Sequence, residues 1–254
     1  MDVTARLNTD VLAPVFLASV RTPEEARQAL SGGAGIIDCK DPEKGALGAL
    51  TSPQIHAIVE AILERVLVSA TIGDLPCDGA VMVKAARAVA ATRADIVKVG
   101  FFGDGVPRDA IAALGSADIG RAKLVAVLMA DKHPDFGVIA ALADAGFAGV
   151  MLDTADKSSG ALPDVLDFSR LADFIARARA SRLMAGLAGS LRAQHIAGLV
   201  ALRPDVIGFR GALCDGGRTG QLDPARVQGV RDALDAAIAC LSYSEGHFAK
   251  RSVA

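Results

Sequence analysis

The chain has no tryptophan and a single tyrosine, and aromatic residues make up only 4% of its 254 residues. Its core must therefore be built from aliphatic side chains, which are plentiful because apolar residues reach 52%. The chain also lacks an excess of charge of either sign, with a formal net charge of -2. We therefore expect no nucleic acid and no anionic membrane surface as a partner, because either would require a basic excess.

Disulfide frameworks and membrane spans have no support in the sequence. The four cysteines are widely spaced and form no CxxC pair, which is typical of a reduced cytoplasmic protein. No apolar run approaches the roughly 20 residues that a membrane-spanning helix requires. Residues 1–6 carry charges and are not followed by the long apolar stretch of a signal peptide. The sequence predicts a cytoplasmic location.

Several common site motifs are absent as well. There is no P-loop, no GxGxxG after the first predicted strand and no GxSxG elbow, which leaves nucleotide-binding and serine-hydrolase functions without support. The four histidines (His56, His133, His195 and His247) are scattered, and no pair has metal-ligand spacing. We predict no metal ion and no cofactor, and we assign His56 and His195 to helix surfaces.

Short β-branched runs alternate with helical patterns along the chain. The predicted strands are residues 15–20, 35–40, 65–73, 95–102, 123–130, 149–154, 183–189 and 206–211. The first helix opens with Thr22 as N-cap, Pro23 at N1 and Glu25 completing a capping box, and it ends at Gly32-Gly33. The remaining helices are predicted near residues 52–64, 80–91, 107–114, 136–145, 163–180, 190–202 and 224–241.

Eight such βα units in about 250 residues predict a single (β/α)8 TIM barrel, with an open doubly wound sheet as the alternative. The even strands share an entry pattern, as in Ala94-Asp95-Ile96-Val97 and Pro204-Asp205-Val206-Ile207, which indicates a weak internal repeat. We predict one domain over residues 1–254, with its core at about residues 15–241 and short extensions at both ends.

Chemistry-bearing residues collect at the carboxyl ends of the predicted strands, where a barrel of this kind places its active site. These ends supply Asp38, Lys40, Ser69, Thr71, Lys98, Asp153 and Lys157. Side chains alternate along a strand, so Asp38 and Lys40 share the inward face and Cys39 points outward.

Lys98 interrupts an apolar run, Ile96-Val97-Lys98-Val99, that should be buried on both faces. A buried unpaired ammonium is costly, so Lys98 either forms a structural ion pair with Asp38 or Asp153 or takes part in chemistry. Ammonium groups that lie close together lower one another's pKa, and a lysine becomes nucleophilic towards carbonyls in this way. Several lysines at one barrel mouth favour amine chemistry.

The late strands end in small residues that suit an anion. A Gly189-Ser190 step predicted to open a helix presents backbone N–H groups, and the Arg210-Gly211-Ala212 turn lies beside it. Together they match the phosphate site that such barrels often form between strands seven and eight. The alternative is that these glycines only permit tight turns.

The strand-end motifs resemble one family closely, in order and with similar spacing. They are Ile36-Ile37-Asp38-Cys39-Lys40-Asp41-Pro42, Val68-Ser69-Ala70-Thr71-Ile72-Gly73-Asp74, Val97-Lys98-Val99-Gly100, Met151-Leu152-Asp153-Thr154-Ala155-Asp156-Lys157, Leu187-Ala188-Gly189-Ser190 and Gly208-Phe209-Arg210-Gly211-Ala212. The chain is similar, from about Val15 to Leu241, to the (5-formylfuran-3-yl)methyl phosphate synthases of methanofuran biosynthesis.

The resemblance implies a barrel enzyme, a carbon–oxygen lyase acting on phosphates, that joins two molecules of glyceraldehyde 3-phosphate with loss of one phosphate and two waters. It implies Lys40 as the Schiff-base lysine and Lys98 as the proton acceptor. Asp38, Asp153 and Lys157 match family active-site positions, with Lys157 an acid for the departing groups. We expect Asp38 to hold Lys40 and relay protons.

Substrate contacts are expected from Ser69 and Thr71, and phosphate contacts from Gly189, Ser190, Arg210, Gly211 and Ala212. The aliphatic surface favours a homo-oligomer. Two other functions share these features. One is a class I aldolase acting on another sugar phosphate, and the other is a non-catalytic sugar-phosphate-binding barrel.

Overall fold

A computed structural model describes residues 13–102, 107–156 and 159–251, with the side chains of the last helix described as far as Tyr243. Within these residues, eight parallel strands pair in chain order and close into a barrel through β1 and β8. The strands are β1 (Val15–Val20), β2 (Ile36–Cys39), β3 (Leu67–Thr71), β4 (Ile96–Phe101), β5 (Lys123–Met129), β6 (Gly149–Asp153), β7 (Met184–Leu187) and β8 (Val206–Phe209). The predicted (β/α)8 barrel is confirmed.

Helices follow the strands on the outside of the barrel. They are α1 (Pro23–Ser31), α2 (Ser52–Ile62), α3 (Gly79–Ala90), α4 (Arg108–Gly115), α5 (Val138–Asp144), α6 (Leu162–Val165), α7 (Phe168–Ala180), α8 (Ala193–Ala201) and α9 (Pro224–Arg251). Among the described residues, no helix combines the length and the low polarity that crossing a bilayer would need.

Three predicted helix boundaries were wrong. The helix expected at residues 163–180 is divided, because Leu166 is extended and the Asp167 side chain accepts from the Arg170 N–H to begin α7. The helix expected from Ser190 begins only at Ala193. The last helix runs past residue 241 to Arg251, so it includes residues 242–251 of the predicted C-terminal extension.

Strand side chains bury two separate cores, as expected for strands that are covered on both faces. Inward-facing residues such as Leu17, Ile36 and Ile96 fill the barrel interior. Outward-facing residues, Cys39 among them, pack against the helices. The alternation predicted for β2 is therefore confirmed, and the Cys39 thiol belongs to the outer core.

The internal repeat corresponds to a hydrogen bond that occurs twice at the amino-terminal ends of the strands. The Asp95 carboxylate accepts from the Val68 N–H at 2.9 Å, and the Asp205 carboxylate accepts from the Ala185 N–H at 2.7 Å. Each aspartate precedes an even strand and fastens it to the strand before it. Both lie at the end of the barrel opposite the strand ends that supply Asp38 and Lys40.

The first helix uses only half of the predicted capping box. Thr22 accepts from the Glu25 N–H at 3.1 Å, as expected for an N-cap. The Glu25 carboxylate does not return to the Thr22 N–H but accepts from the Arg21 N–H at 2.7 Å. Arg210 binds the same carboxylate, and this buried partner draws Glu25 towards β8.

Candidate active site

Asp38 lies in the barrel interior, and polar side chains of three other strands bind it. In the strand register Asp38 is level with Ser19 on β1 and Ser69 on β3. The Ser19 hydroxyl donates to one carboxylate oxygen at 2.8 Å and the Ser69 hydroxyl to the other at 2.7 Å. The Lys98 ammonium on β4 donates to the oxygen that Ser69 binds, at 3.1 Å. Lys98 is thus paired in the barrel.

The surroundings of Asp38 favour its ionised form. Burial alone would raise the pKa of this fully buried carboxyl group. The charges of Lys98 and then Lys40, together with hydrogen bonds from the Ser69 and Ser19 hydroxyls, outweigh burial and lower the pKa below its ordinary value. Asp38 is therefore a carboxylate at neutral pH.

Lys40 has a different acidic neighbour. Its Nζ lies 3.7 Å from a carboxylate oxygen of Asp153 on β6, and both residues are more than nine-tenths buried. The other Asp153 oxygen accepts from the Thr154 N–H at 2.8 Å, which orients the carboxylate.

The ion pairs that the structure shows join Asp38 to Lys98 and Lys40 to Asp153, so the role of Asp38 towards Lys40 stays a prediction. Asp38 is bound to Lys98, whereas Lys40 extends from the end of β2 to Asp153. The charge of Lys40 still acts on Asp38 through space. Two lysine–carboxylate pairs, Lys98–Asp38 and Lys40–Asp153, thus occupy the mouth of the barrel. Lys157 lies outside the described residues.

A cavity of about 880 Å³ opens above these pairs. Lys40, Lys98 and Asp153 lie on its floor, and the segments that follow β7 and β8 form much of its wall. Its volume is in the upper part of the range of small-molecule sites, roughly 300–1,000 Å³. The wall includes Gly189, Ser190, Gly211 and Ala212, and Arg210 also lines the cavity; these are the five residues predicted to bind phosphate.

These wall residues offer backbone donors. Gly189 (φ 112°) and Ser190 (φ 49°) form a turn in the positive-φ region, so the prediction that they open a helix was wrong. Gly211 and Ala212 begin a single 3-10 turn, Gly211–Leu213. Within the described part of the chain, the N–H groups of these four residues have no hydrogen-bond acceptor. Adjacent N–H groups in turns of this kind suit an anion.

The Arg210 side chain is fully engaged with the protein. Its Nε donates to the Arg218 carbonyl at 2.9 Å, and its terminal nitrogens donate to the carbonyls of Ser19 at 3.1 Å and Gly220 at 2.8 Å. The same nitrogens donate to both Glu25 oxygens, at 2.6 and 3.2 Å. A guanidinium has five N–H donors, and each has an acceptor here. Any anion bound at Arg210-Gly211-Ala212 would therefore meet the backbone of Gly211 and Ala212.

Ser69 and Thr71 occupy positions below the cavity surface. The Ser69 hydroxyl is engaged with Asp38, and the Thr71 hydroxyl donates to the Gly48 carbonyl at 3.1 Å. Neither residue is among those that line the cavity. We now interpret Thr71 as a support for the loop after β2.

Two residues near the site, Glu25 and His195, were missed or misplaced by sequence reasoning. Glu25 was assigned to a helix cap alone. His195 was assigned to a helix surface but lines the cavity, where its Nδ1 accepts from the Arg192 N–H at 3.1 Å. Arg218 donates to the Pro42 and Gly45 carbonyls and thereby joins the loops after β8 and β2. Glu25 and His195 lie in the first turns of helices that follow strands, and Arg218 lies in the loop after β8, so their proximity to strand ends was the available clue. No metal-binding cluster of His, Cys, Asp or Glu occurs in the described ranges.

Comparisons with known proteins agree on one family. The sequence model of the 4-HFC-P synthase family matches residues 16–231. A (5-formylfuran-3-yl)methyl phosphate synthase of Methanothermobacter thermautotrophicus is 35% identical over 233 residues, covering 87% of this chain and 99% of the relative. A Methylorubrum extorquens chain, provisionally given the same name, is 41% identical over 224 residues, covering 88% of this chain and 92% of the relative.

Solved structures agree on the fold. Phosphoribosyl anthranilate isomerase from Thermus thermophilus superimposes with a TM-score of 0.61 at 15% identity, over 88% of this chain and 98% of that one. At such low identity, the likeness establishes the barrel and nothing about the chemistry.

Proposed function

Since the chain belongs to the 4-HFC-P synthase family, we propose that it is an enzyme that converts two molecules of glyceraldehyde 3-phosphate into (5-formylfuran-3-yl)methyl phosphate, in the biosynthesis of a methanofuran-type cofactor. The observation that supports this most is the pair of lysine–carboxylate contacts, Lys40–Asp153 and Lys98–Asp38, buried beneath one cavity. Two lysines held apart by separate carboxylates can perform separate steps.

Lys40 is the proposed Schiff-base residue. Its amine must lose a proton before it attacks a triose carbonyl, and the Asp153 carboxylate, 3.7 Å away, is placed to accept that proton. Loss of water from the adduct gives a protonated imine, whose positive charge the same carboxylate stabilises. The imine acidifies the neighbouring carbon and serves as the electron sink.

Lys98 is the proposed proton shuttle. Asp38 and its two serine donors fix the Lys98 nitrogen on the floor of the cavity. Once its ammonium has passed a proton to the Asp38 carboxylate, the Lys98 amine removes a proton from the carbon next to the imine and returns it elsewhere, which interconverts triose tautomers. The resulting enamine adds to the aldehyde of the second triose and forms the carbon–carbon bond.

Ring closure then expels one phosphate and water, with Lys157 the proposed acid for the departing groups. Two trioses lose one phosphate and two waters in total, so the conversion is redox-neutral and atoms balance without a further reactant. We propose that the retained phosphate binds the N–H groups of Gly189, Ser190, Gly211 and Ala212. A cavity of about 880 Å³ has room for two triose phosphates.

Product analysis with glyceraldehyde 3-phosphate as the sole substrate tests this function. We expect an ultraviolet-absorbing furan and one phosphate released for every two trioses consumed. A reversible aldol equilibrium without phosphate release would instead favour the class I aldolase. Binding of the triose with no turnover and no borohydride-trapped adduct would favour the non-catalytic barrel.

A further inference from the structure

Glu25 and Arg210 form a buried ion pair that the proposed chemistry does not use. Their side chains lie against each other with two hydrogen bonds, although they come from α1 and from the end of β8. Both residues are more than nine-tenths buried. Such a pair is costly to bury and gives no assured net stability, so a reason for it other than stability has to be sought in its position.

The pair forms hydrogen bonds with backbone groups of three segments, which are β1, the turn between β1 and α1, and the loop after β8. Arg210 binds the carbonyls of Ser19, Arg218 and Gly220, which belong to β1 and to the loop after β8. Glu25 accepts from the N–H groups of Arg21 and Leu222. Each charged group therefore has acceptors or donors from the backbone as well as from its partner.

The pair also adjoins both halves of the site. Gly211 and Ala212 line the cavity, follow Arg210 directly in the chain, and have N–H groups without an acceptor among the described residues. Ser19 gives its carbonyl to Arg210 and its hydroxyl to Asp38. Ser19 therefore links the Glu25–Arg210 pair to the Lys98–Asp38 pair through hydrogen bonds.

We infer that Glu25 and Arg210 are positioning residues for phosphate recognition: they hold the peptide groups of Gly211 and Ala212 in place, and neither side chain touches the phosphate. This inference rests on the proposed function, because it assigns the backbone of this turn to a substrate phosphate. On this inference the phosphate binds the Gly211 and Ala212 peptide groups, and the Arg210 guanidinium holds those peptide groups in position without binding the phosphate itself. Charge-assisted, two-pronged contacts of this type fix geometry well.

Calorimetric titration with inorganic phosphate tests the inference in Glu25→Gln, which keeps the size of the side chain, and in Arg210→Lys, which keeps the charge. We expect both variants to bind phosphate about tenfold more weakly or worse, because a single charge-assisted hydrogen bond is worth about that much. Borohydride trapping with unphosphorylated glyceraldehyde should stay within about twofold of the wild-type rate, because Lys40 is not disturbed.

Asp205→Asn is the matched control, because Asp205 is a partly buried carboxylate that fastens the opposite end of β8. It should lower the melting temperature and leave phosphate affinity unchanged. If Glu25→Gln lowers the melting temperature but binds phosphate as tightly as wild type, the pair is only structural and the inference fails. If Glu25→Gln does not fold, Arg210→Lys decides in the same way.

The outcomes separate this inference from the proposed function. A wild-type protein that makes no furan but binds phosphate, and loses that binding in Glu25→Gln, would keep the inference and overturn the synthase function. Normal furan synthesis with an unchanged KM in both variants would overturn the inference alone. A wild-type protein that makes no furan and binds no phosphate would overturn both.

Discussion

The Lys98 ammonium lies 3.1 Å from Oδ1 of Asp38, and Asp38 is fully buried in the barrel. Asp38 has no contact with bulk water and Lys98 is only 3% exposed, at the floor of the cavity, so each charge depends on the other. Loss of one partner from a buried pair is far more costly than loss of one from an exposed pair.

Asp38→Asn should therefore lower the free energy of unfolding by about 3–5 kcal/mol, because it leaves the Lys98 ammonium buried without its counter-charge. Urea denaturation at neutral pH measures this. Asp173→Asn is the control, since it removes one partner of the exposed Arg177–Asp173 pair and should cost no more than about 1 kcal/mol. Equal losses in the two variants would contradict a buried, interdependent pair.

The stability difference between wild type and Asp38→Asn should depend on pH. The folded-state pKa of Asp38 lies below its ordinary value of 3.8, because Lys98 and Lys40 and two hydroxyls outweigh burial. A depressed pKa contributes stability that is fully present above the unfolded-state value and is lost as the pH falls through the folded-state value. The difference should be constant near neutral pH and should shrink below about pH 4.

Denaturation of both proteins between pH 7 and pH 2 measures this narrowing. Other acids, such as Glu25, whose pKa is also lowered, are common to both proteins and cancel in the difference. A difference that stays constant down to pH 2 would show that Asp38 has the same pKa in the folded and unfolded chain.

The barrel and the inward set of charged residues could be predicted from sequence because both follow from local periodicity. Alternation along β2 places Asp38 and Lys40 inward, and an apolar run places Lys98 inside. Which of the two carboxylates, Asp38 or Asp153, pairs with each lysine could not be predicted in this way. It depends on the register of neighbouring strands and on side-chain reach across the barrel, and neither leaves a local pattern.

The same limit applies to the ion pair of Arg210. Its place beside two small residues indicated an anion site, but its acidic partner Glu25 lies 185 positions earlier in the chain. The capping-box pattern at Glu25 gave a sufficient local reason for that glutamate. No local pattern therefore indicates that these two residues form a long-range ion pair.

Lys40→Arg and Lys98→Arg should fail at different steps. A guanidinium cannot form an imine under these conditions, so Lys40→Arg should lose both the borohydride-trapped triose adduct and turnover, by about a thousandfold or more. Lys98→Arg keeps a cation for Asp38 but lacks the proton shuttle, so the adduct should still form while turnover falls by about 10²–10⁴-fold. Mass spectrometry of the reduced protein, together with furan formation, measures both effects. If the adduct persists in Lys40→Arg and disappears in Lys98→Arg, Lys98 is the Schiff-base residue and the proposed assignment is reversed.

Thr71→Val should affect stability rather than substrate binding. The substitution keeps the side-chain shape and removes the hydroxyl that donates to the Gly48 carbonyl. That carbonyl also accepts from the Asp41 N–H at 2.8 Å, so the cost should be only about 1 kcal/mol. Urea denaturation and the KM for glyceraldehyde 3-phosphate measure the two properties. A tenfold rise in KM at unchanged stability would restore Thr71 as a substrate contact.

Gly189→Ala should weaken recognition of phosphorylated substrate. Gly189 has φ 112°, a backbone angle that residues with a side chain rarely adopt. An added Cβ would lie 3.0 Å from the Thr154 side chain and 3.1 Å from the Thr154 backbone nitrogen. Relief of this strain requires the turn to shift, which costs about 1–3 kcal/mol and displaces the Ser190 N–H from the cavity wall. We expect the KM for glyceraldehyde 3-phosphate to rise about tenfold, as loss of a positioned hydrogen bond would cause.

Gly120→Ala provides the control for positive φ alone. Gly120 has φ 61°, lies in the loop before β5 at the far end of the barrel, and an added Cβ would meet nothing within 4 Å. It should cost some stability and leave KM unchanged. Inorganic phosphate should compete with substrate in wild type and in Gly120→Ala, but only weakly in Gly189→Ala. If phosphate competes equally in all three proteins, the turn after β7 does not bind the phosphate, and Gly189 only permits a tight turn.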